Sequence, residues 1–173
     1  MAIDRRDFLK FAGGGFAGTL AGLGVPRAAW AKSANKAKVI IVGAGFGGAT
    51  CARYLRLWEP AIEVTLIDPH SHMVSCPMSN WVIGGMREMA DLDKPYDGLR
   101  KRGVKMLQDS VVGVNADKRT VTTAGGHTLS YDRLVLAPGV EFMTGKIEGY
   151  DAASKAGKVV HAFTAGPETA LLR

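Results

Sequence analysis

The sequence predicts an α/β fold built on a parallel sheet, and three observations predict it. A short β-branched run, Lys38 to Val42, leads directly into glycines at 43, 45, 47 and 48. A helical pattern follows and stops at Glu59-Pro60, and a second β-branched run then ends in Asp68. Further along, residues 104–137 alternate short β-runs with turn residues, which adds a small antiparallel meander to the sheet.

Each element has its own reason. After Lys38, the run 38–42 is apolar at consecutive positions, the pattern of a strand covered on both faces. Residues 47–58 form a helix with small or apolar side chains at 48, 51, 52, 55 and 58 turned toward the sheet. Pro60 ends it, because the residue before a proline is pushed out of helical geometry. Residues 63–67 make the second strand, with Asp68 at its C-terminal end. Residues 96–102 read as a helix and 104–107 as a third parallel strand. Runs at 110–114, 120–123 and 127–129, joined by turns at 115–118 and at Gly125-Gly126, make the meander. The apolar run 134–137 returns to the sheet and ends in Pro138-Gly139, and residues 167–173 open a helix.

The first unit carries a ligand signature. Strand, Gly43-x-Gly45-x-x-Gly48, helix, strand and terminal acid come in the order of a Rossmann-like dinucleotide-binding unit. Gly43 allows the tight turn, Gly45 lets backbone approach a pyrophosphate, and Gly48 lets helix and strand pack closely. Ala44, Phe46 and Gly47 complete the turn, and the helix N-terminus offers N–H groups and partial positive charge to phosphates. Asp68 lies twenty residues after Gly48 and can accept hydrogen bonds from a ribose diol. An acid there disfavours a 2′-phosphate, which leaves FAD or NAD. The bland alternative is a glycine-rich turn with no ligand, and for Pro138-Gly139 an ordinary turn after a strand.

Size and charge narrow the class. The 173 residues suffice for one domain with a core, and 47% hydrophobic with 22% charged residues is an ordinary globular balance. The formal charge is +6, of which residues 1–31 carry +2. The remainder has no dense basic stripe, so a nucleic-acid partner is not expected. Arg100-Lys101-Arg102 reads as the solvated end of a helix. His127 and His161 read as exposed polar residues.

The N-terminus reads as an address. Arg5-Arg6, then Phe8-Leu9 and Lys10, resembles the twin-arginine export signal. Residues 11–25 are apolar but contain six glycines among fifteen residues, too short and too weakly hydrophobic for a stable membrane span. Ala29 and Ala31 stand at the positions a signal peptidase reads. The expected organisation is a signal peptide over 1–31, a flexible lead-in over 32–36 and a nucleotide-binding domain over 37–173, with the mature protein in the periplasm. The alternative is an uncleaved N-terminal anchor.

Two cysteines stand apart in kind. Cys51 falls on the sheet-facing side of the first helix, where a small buried residue is the simplest reading. Cys76 lies in the loop that leaves the C-terminal edge of the second strand, where ligands of such sheets bind. The residues alone leave several readings for Cys76. It can pair with Cys51, join His70 and His72 around a metal, stay a free loop thiol, or hold a ligand.

The run Val74, Ser75, Cys76, Pro77, Met78, Ser79, Asn80, followed by Val82-Ile83-Gly84-Gly85, resembles the flavoprotein subunits of the flavocytochrome c sulfide dehydrogenase family. Tyr96-Asp97-Gly98-Leu99-Arg100, Tyr131-Asp132 and residues 146–150 fit the same family, as does the glycine turn, meander and Ala137-Pro138-Gly139 order of two-dinucleotide-domain flavoproteins. The resemblance implies FAD as cofactor, with a thioether from Cys76 to its 8α-methyl carbon. It implies that Ala137, Pro138 and Gly139 lie near the flavin and that backbone at Val112 contacts the adenine. It further implies oxidation of sulfide, with electrons passed to a c-type cytochrome subunit. The family's redox disulfide has no counterpart here and is expected beyond Arg173. The 173 residues then correspond to an N-terminal part, ending before a second dinucleotide-like domain and inactive alone. Two other readings stay open: a sulfide:quinone or NADH:quinone type flavoprotein, and a non-catalytic flavin- or nucleotide-binding module.

Overall fold

The structure is a computed structural model and describes residues 36–173. The expected signal peptide, and all of the lead-in except Lys36, lie outside the described residues. Four parallel strands form the central sheet: β1 (Lys38–Val42), β2 (Glu63–Asp68), β5 (Lys105–Gln108) and β9 (Arg133–Leu136), in the order β5-β2-β1-β9. β1 runs beside β2 from Lys38↔Glu63 to Val42↔Ile67, and beside β9 from Val39↔Arg133 to Val42↔Leu136. The α/β parallel-sheet fold expected from the sequence is the fold observed.

Alternation along the strands feeds two cores. Val39, Ile41, Val64 and Leu66 point to one face and pack with Ala52, Tyr96, Leu99 and Val104. Ile40 and Ile67 point to the other face and meet Val121, with Leu129 and Leu134 packed around them. The first face is covered by α1 (Phe46–Trp58) and by α3 (Asp97–Arg100), a single turn. The second is covered by the meander of β6 (Val111–Asn115), β7 (Thr120–Thr123) and β8 (Thr128–Ser130). Both faces are therefore dry, which is why the strands read as continuous apolar runs.

Three local expectations change. Trp58 was expected to face the sheet but is 75% exposed and lies beside Tyr54, with ring centroids 5.0 Å apart. Gly48 and Ala52 make the buried stripe of α1, and the last turn overruns the sheet. The helix expected over 96–102 is shorter, because Gly103 takes a left-handed turn (φ 80°) that hands the chain to β5. Between β2 and α3 the sequence offered no period. There the chain forms β3 (His72–Val74), a 3₁₀ turn (Cys76–Met78), α2 (Ser79–Ile83) and β4 (Asp93–Pro95), with β3 and β4 paired antiparallel. After β9 come α4 (Tyr150–Lys155) and α5 (Pro167–Leu171), the latter as expected from residues 167–173. No described helix is long and apolar enough to cross a membrane.

Candidate functional site

Because β1, β2 and β9 are parallel, the loops after all three leave the same edge of the sheet. A cavity of about 760 Å³ opens there. That is within the range of small-molecule and cofactor sites, roughly 300–1,000 Å³. Gly43, Gly45, Phe46 and Gly47 form one wall, Asp68, His70 and Cys76 another, and Ala137, Pro138 and Gly139 a third.

The glycine turn is fixed by close approaches. Gly43 has φ 93°, and a Cβ on it would stand 2.1 Å from the Ala137 carbonyl oxygen. Gly43 N–H donates to Ile67 O at 2.8 Å, and Ala137 N–H donates to Val42 O at 2.8 Å. A Cβ on Gly48 would stand 1.8 Å from Gly43 O. The glycine cluster and the segment after β9 are thus one structural unit. Gly45 differs: its backbone is extended and a Cβ there would meet nothing within 4 Å. Packing does not require a glycine at 45. Its missing side chain leaves the N-terminus of α1 open to the cavity. That end has no side-chain cap and no acid in its first turn. The N–H groups of Phe46, Gly47 and Gly48 have no intrahelical acceptor, the usual state of a first turn and a fit for an anion.

Asp68 is 13% exposed at its side chain and held on both oxygens. Oδ2 accepts from the Ala44 amide at 2.7 Å, and Oδ1 accepts from the His70 amide at 2.8 Å. Nδ1 of the His70 ring lies 3.0 Å from Oδ1. Ala44 therefore serves by orienting the acid, since its amide is already used. A carboxylate has lone pairs for further donors, so Asp68 can still accept from a ligand.

Cys76 is half-buried on the cavity wall, at the start of the 3₁₀ turn that leads into α2, and the Ser79 hydroxyl donates to its carbonyl at 2.7 Å. Both cysteines are free thiols. Cys51 packs against the helix-side core, as expected. His70 and His72 turn to different partners rather than to one another or to Cys76. His70 turns to Asp68, and His72 Nε2 lies 3.6 Å from Asp93 Oδ1. Among the described residues no group of three ligating side chains converges.

Other placements depart from expectation. Val112 lies at an irregularity between Val111 and Gly113 in β6, is 67% exposed and does not line the cavity. His161 is not a plain surface residue. Its Nε2 meets Glu168 Oε2 at 3.1 Å, and its ring meets Phe142 edge-on at 4.6 Å. His127 is exposed. Tyr96 and Phe163 on the cavity wall were not foreseen as site residues. Burial, helped by the charge of Asp68, pushes the Tyr96 phenol up to about 12.

The chain is similar to known proteins. The family described as pyridine nucleotide-disulphide oxidoreductase matches residues 37–167. The flavoprotein chain of sulfide dehydrogenase (flavocytochrome c) from Chlorobaculum thiosulfatiphilum is 53% identical over 45 residues, 26% of this chain and 94% of that sequence. The sulfide-quinone reductase of Aquifex aeolicus is 30% identical over 108 residues, 62% of this chain and 25% of that protein. The X-ray structure of the sulfide:quinone oxidoreductase from Aquifex aeolicus superposes with a TM-score of 0.62 at 29% identity, covering 66% of this chain and 27% of the other. The chain thus spans about a quarter of the length of these longer relatives.

Proposed function

Because the chain belongs to the pyridine nucleotide-disulphide oxidoreductase family, we propose that it is the FAD-binding part of a sulfide dehydrogenase of the flavocytochrome c type. The observation that carries this reading is a free thiol, Cys76, on the wall of the same cavity as the open glycine turn. A dinucleotide with its diphosphate at that turn fits the donor set: uncapped N–H groups at α1, an oriented acid at 68, and space left by Gly45. Bound FAD supplies a two-electron acceptor; the protein orients it and tunes it.

In this reading the first turn of α1 holds the diphosphate, and Asp68 accepts from the adenosine ribose. The backbone of Ala137, Pro138 and Gly139 lies along the ring system, and Cys76 is its thioether anchor at the 8α carbon. The anchor keeps the cofactor in place where lost FAD is not replaced, which suits the periplasm and the twin-arginine leader. Sulfide is the electron source and a c-type cytochrome subunit the acceptor. The similarity to the Chlorobaculum flavoprotein chain supports this choice.

The test is acid precipitation of the purified holoprotein. Flavin is expected to stay with the precipitate and to map to the peptide containing Cys76, and Cys76→Ala is expected to release it. If all flavin is freed from the parent protein, the anchor is excluded. A second reading, a quinone as acceptor, is favoured by the longer match to the Aquifex sulfide-quinone reductase. Sulfide-dependent reduction of cytochrome c against that of a soluble quinone separates the two.

A further inference from the structure

His161 is held from one side by an acid. Its Nε2 lies 3.1 Å from Glu168 Oε2. The other oxygen of that acid, Oε1, accepts from the Ser154 hydroxyl at 3.3 Å, so Glu168 ties α5 to α4. Nδ1 of the imidazole is buried and has no hydrogen-bond partner among the described residues. In the neutral ring a proton on Nδ1 would have no acceptor, so the proton sits on Nε2 and is donated to Glu168. The pair thereby fixes both the tautomer and the rotation of the imidazole.

The fixed ring supports a pair of phenylalanines. It meets Phe142 edge-on at 4.6 Å, and Phe142 meets Phe163 with ring centroids 4.9 Å apart. Phe163 lines the large cavity, with Thr164 and Ala165 beside it. Phe142 comes three residues after Gly139, and residues 163–165 lead into α5, which packs against α2 just past the Cys76 turn. The aromatic pair therefore stands where the Ala137–Gly139 wall approaches the Cys76 side of the cavity. Phe163 is still 50% exposed. An aromatic ring left half in water on a cavity wall is stabilised by a flat, apolar occupant that covers it.

We propose that Phe163 is a specificity-determining contact for the flat ring system of the cofactor, and that His161 is its positioning residue, locked by Glu168 and acting through Phe142. The assignment rests on the reading of the cavity as an FAD site. It divides recognition of the dinucleotide in two. The glycine turn and Asp68 take the adenosine diphosphate half, which many nucleotides share. Phe163 takes the isoalloxazine half, which only a flavin offers. His161 touches neither half: its part is to keep the aromatic pair turned toward the cavity.

The experiment uses the Cys76→Ala protein, in which FAD exchanges, and measures the Kd of FAD and of ADP by calorimetry. ADP carries the adenosine diphosphate half without the isoalloxazine. Phe163→Ala in that background is expected to raise the Kd for FAD about tenfold, the effect of one lost aromatic contact, and to leave that for ADP unchanged. If both affinities fall together, or neither moves, the Phe163 assignment is overturned and the FAD reading stands. No FAD binding by the Cys76→Ala parent overturns both. If Phe163→Ala does not fold, Phe163→Leu keeps an apolar side chain without the flat ring, and the same split is expected at about threefold. The positioning role is read from two amides at residue 161. His161→Gln places an N–H near the position of Nε2 and is expected to keep the parent's FAD affinity. His161→Asn is too short to reach Glu168 and is expected to weaken FAD about threefold with ADP unmoved. Equal FAD affinities for the Gln and Asn variants overturn the role given to His161.

Discussion

The β1–α1–β2 unit and the loop from residue 69 to residue 95 meet at the same cavity but are made differently. In the first, two strands and a helix leave little freedom. Ile41, Val64 and Leu66 are fully buried, and two glycines sit where no Cβ fits. In the second, a two-stranded pair and one helical turn hold Cys76 half-exposed, with Leu92 and Val82 as its few buried anchors. The rigid unit fixes an uncapped helix N-terminus at the cavity, and the loosely packed loop carries a free thiol to it. The contrast fits a general division: scaffolds are paid for in packing, and chemistry sits on loops.

Substitutions can break or sharpen this contrast. Gly48→Ala is expected to do the most damage. It puts a methyl against the Gly43 carbonyl oxygen, a backbone atom that cannot move aside, and is expected to cost about 3 kcal/mol or more in urea unfolding. Leu66→Ala leaves a cavity in the helix-side core, with an expected loss of about 2–5 kcal/mol by the same measurement.

Alkaline pH comes next. The Tyr96 phenol is raised to about 12 in the folded protein against about 10 when unfolded. Only the unfolded chain gains charge between those values. Stability is therefore intact below about pH 10, and it falls by roughly 2–3 kcal/mol as pH rises to about 12. Tyr96→Phe is expected to flatten that fall in a series of melts between pH 9 and 12. At the small end, Cys76→Ala is expected to change unfolding stability by about 0.5 kcal/mol or less. A large loss there would mean the loop is part of the scaffold.

How much of this was legible in the sequence follows the same line. β1, the glycine turn, β2 and Asp68 could be read because each obeys a local rule: branched residues in a dry strand, glycine where a Cβ clashes, an acid at a strand end. The meander was legible from Asn115, Gly125 and Gly126 at its turns. The partner of Gly43 was not. Ala137 carries no local mark, and only the pairing of β1 with β9 brings its carbonyl to the turn. Trp58 misled because helical period says which side a residue faces but not where the sheet beneath it ends. His161 and Tyr96 looked unremarkable because their surroundings come from elements distant in the chain. The β3–β4 pair was missed because three-residue strands leave no alternation to read.

The neighbour relation of β1 also bears on synthesis. Its backbone amide at Lys38 is held by the side chain of Asp132, 94 positions later. At ribosomal speeds of about 5–20 residues per second, that stretch takes roughly 5–20 seconds to emerge. During that interval β1 can pair on one side only, and its other border remains a bare row of peptide groups able to recruit a stray chain. A newly made polypeptide of this kind needs shelter until its ninth strand arrives.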